Sequence, residues 1–316
     1  MEDQENQDTV LLYTACEAGD IKKWEFEVSS NSLKKLKHHA GAHGAWICAL
    51  AGTDNSDSIF SGSVDKRLKQ WFITDSDPPK KDWGEVHNHW IRSLAISSDG
   101  LTLYTASSDK HVKQWNIKLN KLLKDYGLVH DIDIKAISLT HNDNFLFSIS
   151  SDKHLKQYDT QKLELYKDWG EVSVKRPYCM AISNSDQFIW TSGDDKKLRK
   201  YNLDTGILEF ETTEAHDKAV TCMAISNCDK FVFSGSNDCH IKFWDTTKGN
   251  LLKTWENAHR GFVLELVVCP TGEWLFSGGD DMCLQQWDIS KKEHWKNYGE
   301  VHRGWLAAMC MVTKPK

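Results

Sequence analysis

Histidine, a hydroxyl residue, aspartate and an aromatic recur along this chain at fixed separations, a set of side chains capable of nucleophilic or proton-transfer chemistry. His216, Ser234, Asp238 and Trp244 stand at offsets 0, 18, 22 and 28. The same offsets return His43, Ser61, Asp65 and Trp71, then His87, Thr105, Asp109 and Trp115, then His259, Ser277, Asp281 and Trp287. His130, Ser148 and Asp152 keep the register with Tyr158 as the aromatic, while Thr191 and Asp195 keep it with Ser173 and Tyr201 replacing histidine and tryptophan. Serine, histidine and aspartate together are the ingredients of a hydrolase triad. Repetition argues against that reading, because a catalytic set is needed once, whereas near-copies spaced through a chain mark a structural part.

The residues between these markers predict strands. Around His216, three apolar runs, VTCMAI, FVFSGS and IKFW, are separated by the turn-forming clusters SNCDK and NDC, and a fourth run, LLKTW, follows TTKGN. Runs of this length bounded by Gly, Asn, Asp and Ser predict a four-stranded meander. The strand-ending aromatic recurs as Trp24, Trp71, Trp115, Tyr158, Tyr201, Trp244 and Trp287, seven units with a period of about 43 residues. Such a period predicts an all-β chain forming a single seven-bladed β-propeller of four-stranded antiparallel blades. The first unit has no inner strand or histidine ahead of Thr14 and Trp24, but both stand at the other end of the chain, as His302 and the run WLAAMCMV at 305–312. The C-terminal strand is therefore expected to complete the N-terminal blade and close the ring, removing the edges of an open array. Residues 9–313 form the propeller in this reading, and the acidic stretch 1–8 is expected to be a disordered tail. Length varies only between an aromatic and the next histidine, which places short insertions at 29–37 and 75–81.

A net charge of −6 offers no basic field for a phosphate backbone, so protein partners are expected and direct nucleic-acid binding is not. No stretch of 18 apolar residues occurs, so no membrane span is expected. Nine cysteines, none spaced as Cys-x-x-Cys, include Cys48, Cys179, Cys222 and Cys310 within one strand type. They read as buried free thiols of an intracellular protein, cytoplasmic or nuclear. The 14 histidines mostly follow the repeat and not the cysteines, so neither a metal centre nor a cofactor is expected.

Trp244-Asp245 and Trp287-Asp288 supply the dipeptide after which WD repeats are named, and from about residue 10 to 312 the chain resembles that family. The resemblance implies that the histidine, hydroxyl, aspartate and tryptophan of a blade form a hydrogen-bonded relay. The chemistry is sound: an indole N–H only donates, a hydroxyl accepts it and donates onward to a neutral imidazole, and the second ring nitrogen donates to the carboxylate. Three blades depart from this set. Tyr158 puts a phenol where blade four should hold an indole donor. Blade five is expected to be the weakest, since Ser173 and Tyr201 leave Asp195 without its imidazole. In blade one Ala18 replaces the aspartate, so His302 is expected to lean on Glu17, Asp20 or water. The recurrent Lys22, Lys69, Lys113, Lys156, Arg199 and Lys242, with Gln285 last, read as long stems covering apolar surface with their charge in water. Trp83, Tyr126, Trp169, Trp255 and Tyr298, four residues before the histidine position, read as packing.

The resemblance further implies that residues three and five after the histidine, and the residue before the turn aspartate, surround the channel mouth on one face. Carried over, the first set is Trp305, Trp46, Trp90, Asp133, Arg176, Ala219 and Phe262 for blades one to seven. The second is Ala307, Cys48, Arg92, Lys135, Tyr178, Thr221 and Leu264, and the third Glu17, Val64, Ser108, Ser151, Asp194, Asn237 and Asp280. Phe262, Trp305, Trp46 and Trp90 belong to consecutive blades, with Leu264 and Val64 in the same arc. Aromatics on such a rim are enriched at binding hot spots, while the opposing reading has the rings lying down into the channel on one another. The expected function is a non-enzymatic scaffold or adaptor, a subunit of a larger complex, that docks a peptide or protein segment through Trp46, Trp90, Phe262, Trp305, Leu264, Arg92, Arg176 and Tyr178. The alternative is a reader of a methylated lysine or arginine, with the arc as an aromatic cage and Glu17 or Asp280 beside it. An enzyme is the third reading, and outside the repeated set no convergent catalytic groups have convincing spacing.

Overall fold

The computed structural model describes residues 9–54, 58–73 and 81–314, all in strands, turns and loops. The tail 1–8 and all but the last residue of the 75–81 insertion lie outside the described residues. Twenty-eight strands form seven separate four-stranded sheets. In six of them the strands follow in chain order, as in blade six: Val220–Ile225, Phe231–Ser236, Ile241–Asp245 and Leu251–Trp255. The remaining sheet joins the two ends of the chain. Leu306–Thr313 pairs antiparallel with Thr9–Cys16, from Val10 opposite Thr313 to Ala15 opposite Ala308, and Ile21–Glu27 and Ser32–His39 complete the blade. Each inner strand packs on the next, and Val263–Val268 of blade seven packs on Leu306–Thr313, which closes the ring. The extra residues of blade one do not lengthen its outer strand, which at Ser32–His39 equals that of blade three; they extend the preceding strand to Glu27 and the loop 40–42 before His43.

Burial follows position in the blade. The second strands, such as Phe231–Ser236 and Phe145–Ser150, are buried on both faces between neighbouring blades, which is why they read as continuous apolar and small-residue runs instead of alternating ones. Outer strands such as Glu164–Glu171 are largely exposed and polar. The core is divided into seven clusters at the seams; in one, Trp190 and Leu198 of blade five meet Val220, Val232 and Trp244 of blade six. Glycine in the second strands permits this approach: a Cβ on Gly62 would lie 2.5 Å from Ile91, and one on Gly278 2.2 Å from Leu306.

A second tie between blades had no counterpart in the sequence reading. In the turn between the first two strands, Asp143, Asp186 and Asp229 adopt left-handed backbone (φ 59, 55 and 59°) and reach back to the preceding blade. Asp143 accepts from the Ser98 amide at 3.0 Å, Asp186 from His141 and Asn142 at 2.7 and 2.9 Å, and Asp229 from Asn184 and Ser185 at 2.7 and 2.8 Å. Gly100 and Gly272 occupy the same turn position in blades three and seven and bring no carboxylate.

Because Leu306–Thr313 is the inner strand of blade one, deleting residues 305–316 should open the ring and not trim a tail. The expected outcome is loss of the cooperative thermal transition followed by circular dichroism; an unchanged, cooperative transition would show that closure does not depend on this strand.

Candidate functional site

Two sets of side chains needed placing: the repeated histidine set and the channel mouth. In blades two, three, six and seven the histidine set is continuous. Trp71 Nε1 donates to Ser61 Oγ at 2.9 Å, Ser61 lies 2.7 Å from His43 Nε2, and His43 Nδ1 lies 2.9 Å from Asp65. The corresponding distances are 3.1, 2.7 and 2.9 Å for Trp115, Thr105, His87 and Asp109. They are 2.9, 2.8 and 2.9 Å for Trp244, Ser234, His216 and Asp238, and 2.9, 2.8 and 2.8 Å for Trp287, Ser277, His259 and Asp281. Since the indole occupies the hydroxyl's acceptor side, the hydroxyl donates to Nε2, and the imidazole proton sits on Nδ1 facing the carboxylate. Each aspartate also accepts from backbone amides, as Asp65 does from Arg67 and Gly44. Burial raises the Asp65 carboxyl, but His43 and these amides outweigh it and hold it at about 2. Asp109, Asp152 and Asp238 are likewise held low against burial, each by the histidine and backbone amides of its own blade. The residue after each aspartate has φ between 64 and 75°, a left-handed turn that six non-glycine residues adopt, from Lys66 to Met282, and that Gly19 (φ 79°) adopts in blade one.

The three departing blades are repaired unequally. In blade four the phenol does reach the relay, with Tyr158 OH 3.1 Å from Ser148 Oγ, and His130 keeps Ser148 at 2.7 Å and Asp152 at 2.8 Å. In blade five Arg199 takes the imidazole's place, its buried guanidinium 2.6 Å from Asp195, and Ser173 Oγ donates to the same carboxylate at 2.8 Å. Asp195 is therefore not left without a partner, and the expectation of blade five as simply the weakest omits an ion pair. What blade five lacks is a partner for Thr191 Oγ1, an orphan worth about 1–3 kcal/mol. In blade one Trp24 donates to Thr14 at 2.9 Å and Thr14 lies 2.7 Å from His302 Nε2, but Nδ1 has no partner. Asp20 is turned away to the Gly41 amide (2.8 Å) and to His38 (3.1 Å). Burial, and after it the charge of Lys22, push the His302 imidazole down to about 3.

The recurrent lysines are not stems with their charge in water. Lys69, Lys113, Lys156 and Lys242 each donate Nζ to the carbonyl just before the relay histidine, at 2.6, 2.8, 2.7 and 2.7 Å. Lys22 does so to Val301 and the Gln285 amide to Ala258. In blade five, where Arg199 is engaged by Asp195, the phenol of Tyr201 donates to the equivalent Val172 carbonyl at 3.1 Å. Arg199 thus takes the histidine's role and Tyr201 the lysine's, and the tryptophan's role is left unfilled. Trp83, Tyr126, Trp169 and Trp255 pack on the relay aromatic of the next blade, with ring centroids 4.9–6.3 Å apart.

At the mouth, the first and third sets meet in every blade: the amides of Glu17, Val64, Ser108, Ser151, Asp194, Asn237 and Asp280 donate to the carbonyls of Trp305, Trp46, Trp90, Asp133, Arg176, Ala219 and Phe262. The aromatic arc is divided. Trp46 and Trp305 meet edge to face at 5.8 Å, and the Trp46 indole N–H is buried without a partner. Trp90 packs instead against His89 at 5.1 Å and under the Arg92 guanidinium at 4.5 Å. Phe262 and Trp305 are 37 and 39 % exposed. Across the mouth Lys135 pairs with Asp133 at 2.6 Å, Tyr178 donates to Asp194 at 3.0 Å, and Arg176 is exposed. The channel beneath is a cavity of about 470 Å³ that Trp46, Arg92, Tyr178 and Leu264 line, whereas Trp90, Phe262, Trp305 and Arg176 stand outside it. Glu265, which the sequence reading passed over, lines it too. Among the described residues no cluster of three or more His, Cys, Asp or Glu is placed to hold a metal ion. All nine cysteines are free, and Cys228 is exposed, not buried.

Ala18 sits in the same turn as the six relay aspartates. Ala18→Asp is expected to give His302 Nδ1 a carboxylate and to raise stability by about 1 kcal/mol. The pH dependence supplies the check. His302 is held neutral in the fold, so between pH 6.5 and its folded value near 3 the unfolded chain binds the extra proton, and stability falls on acidification by up to about 1.4 kcal/mol per pH unit. Chemical denaturation between pH 7 and 5 should show a flatter limb for Ala18→Asp; an equally steep limb would mean that His302 does not cause it.

The family described as "WD domain, G-beta repeat" matches the chain at residues 30–71, 83–116, 209–245 and 249–288. No curated protein matches it. Each matched stretch runs from the outer strand of one blade through the third strand of the next and ends at Trp71, Asn116, Asp245 or Asp288. The blades these matches complete, two, three, six and seven, are those whose relay is unbroken, while the unmatched ones carry tyrosine or are split between the chain ends. Four matched repeats within a closed ring of seven such blades place the chain in the WD-repeat β-propeller family.

Proposed function

We propose that the chain is a non-enzymatic scaffold or adaptor that docks a protein or peptide segment on the channel-mouth face, across the apolar arc of blades seven, one, two and three. Propellers of this family generally serve as platforms for protein partners. The observation that carries the finer reading is the exposure of Phe262 and Trp305 beside Trp46, on loops held by a backbone hydrogen bond in every blade. Large rings left in water on rigid loops are where hot spots concentrate, and an apolar patch of that kind is costly without a partner. A non-enzymatic role is supported by the relay: Ser61, Thr105, Ser234 and Ser277 are fully buried, their hydroxyls occupied by indole and imidazole, and cannot reach a substrate. Membership of a larger complex, inside the cell, is part of the same proposal.

The test compares two tryptophans of the rim with one of the relay. Trp90→Ala, and likewise Trp305→Ala, should leave the thermal transition nearly unchanged and weaken partner binding by about 2 kcal/mol or more. Trp115→Ala should do the reverse, destabilising the fold by about 3–5 kcal/mol through a cavity and an orphaned Thr105. Unfolding by Trp90→Ala would make the arc core; binding that depends on methylation of a peptide ammonium would make it a cage.

A further inference from the structure

Six residues after the relay histidine position, six of the seven inner strands carry a small residue, Ala49, Ser93, Ala136, Cys179, Cys222 and Ala308, and several of these turn to the neighbouring blade, as Cys222 Sγ does to the Val263 carbonyl at 3.9 Å. The seventh carries Glu265. All seven line the same cavity of about 470 Å³, so at this level the channel has one long side chain and one acidic group. Among the described residues no side chain donates to that carboxyl; burial pushes it up to about 8, against the Leu266 backbone amide that favours its charge. Its surroundings are neutral. Cys179 and Cys222 on blades five and six and Cys310 on blade one are thiols raised by burial, and Cys48 on blade two is raised to about 11. The cations of the cavity, Arg92 and Lys135, enter from blades three and four, which stand opposite blade seven in a ring of seven. Both are already engaged: Arg92 with Ser108 at 3.1 Å and the face of Trp90, Lys135 with Asp133 and the ring of Tyr178 at 5.7 Å.

A carboxyl half-buried in the channel with no cation beside it is disfavoured in its charged form. The fold does not require it, since six blades make the same layer with small residues. Blade seven also carries Phe262 at the rim, and the arc continues to Trp305 and Trp46 on the next two blades, so the acid lies below the apolar side of the mouth. We propose that Glu265 seats the ammonium or guanidinium of a lysine or arginine side chain that the docked segment lowers into the central channel. This rests on the docking reading above and names the chemistry of the partner: a basic side chain flanked by apolar residues that cover the arc. The stem of such a side chain has Leu264, Met223 and Met309 to lie against.

The linkage has a definite sign. At pH 7 the free carboxyl is mostly protonated, the bound cation requires it ionised, and the proton goes to solvent, one for each cation seated. Affinity therefore rises about tenfold per pH unit up to about pH 8 and is level above it. The thiols of Cys48 and Cys310, at about 11 and 12, do not titrate in this window.

The experiment follows the Glu265 carboxyl of the full chain by carbon-13 NMR, its resonance assigned by its absence in Glu265→Gln. Should that variant not fold, Glu265→Ala serves, because three blades carry alanine in this layer. n-Butylammonium or ethylguanidinium chloride should lower the titration midpoint by one pH unit or more, with sodium chloride at matched ionic strength leaving it unchanged. A midpoint that stays near 8 with both organic cations, or that sodium chloride moves equally, overturns the proposal. A larger shift from tetramethylammonium overturns it in favour of a cage. The docking reading fails separately: Trp305→Ala and Glu265→Gln are compared for capture of the same partner, and loss in the first with retention in the second leaves docking standing and removes the seat.

Discussion

The hydrogen-bonded pairing of Thr9–Cys16 with Leu306–Thr313 is the constraint on which everything else in this molecule depends. Seven sheets that touch only their neighbours form a chain of seams, and such an array has two ends unless it closes. Here the ends are joined within one blade, by a strand that is last in sequence and innermost in space. Closure turns seven local seams into a ring in which no blade can separate without breaking two of them. It also brings the inner strands around a common axis, so side chains far apart in sequence, Trp46 and Trp305 among them, meet at one mouth.

Within that frame the relay couples the parts of a blade. The tryptophan ends the third strand, the hydroxyl lies on the second, the aspartate begins the turn between them, and the histidine stands on the loop entering the inner strand. A single hydrogen-bonded line therefore fixes the loop that carries the rim. Blade five breaks the line at Thr191, whose hydroxyl has no partner, yet meets its two ends with other residues: a cation faces the carboxylate, and a donor caps the carbonyl before the loop. Arg199 and Tyr201 do so in the roles that histidine and lysine hold elsewhere. Blade one completes the line only in part, since Ala18 leaves the imidazole held on one side.

Sequence periodicity made the ring, the number of blades and the closure legible, because the aromatic, hydroxyl and aspartate stay in register while loops absorb every change of length. It was silent where a role depends on where a flexible side chain ends. Nothing in the spacing of Lys69 or Lys113 says that the ammonium turns inward to a carbonyl 27 residues earlier. The clasps of Asp143, Asp186 and Asp229 repeat at the same interval as the relay, but their partners lie on the preceding blade, which a search within one unit does not reach. The arc of four aromatics was legible as positions; its division into a Trp46–Trp305 pair and a Trp90 covered by Arg92 was not, because ring orientation is set by neighbours on adjacent blades.

The same logic separates what the fold needs from what it carries. A repeat protein supplies its own controls: where seven blades use one kind of residue for one task, the residue that differs is either a repair or an addition. Arg199 and Tyr201 are repairs, since each completes a bond that the other blades also make. Glu265 completes none. It replaces a small side chain that six blades find sufficient, it is disfavoured as an ion by its own surroundings, and it stands under the exposed side of the mouth. A carboxyl held against its own solvation, on a scaffold rigid enough to keep it there, is the group that the proposed basic side chain would pair with.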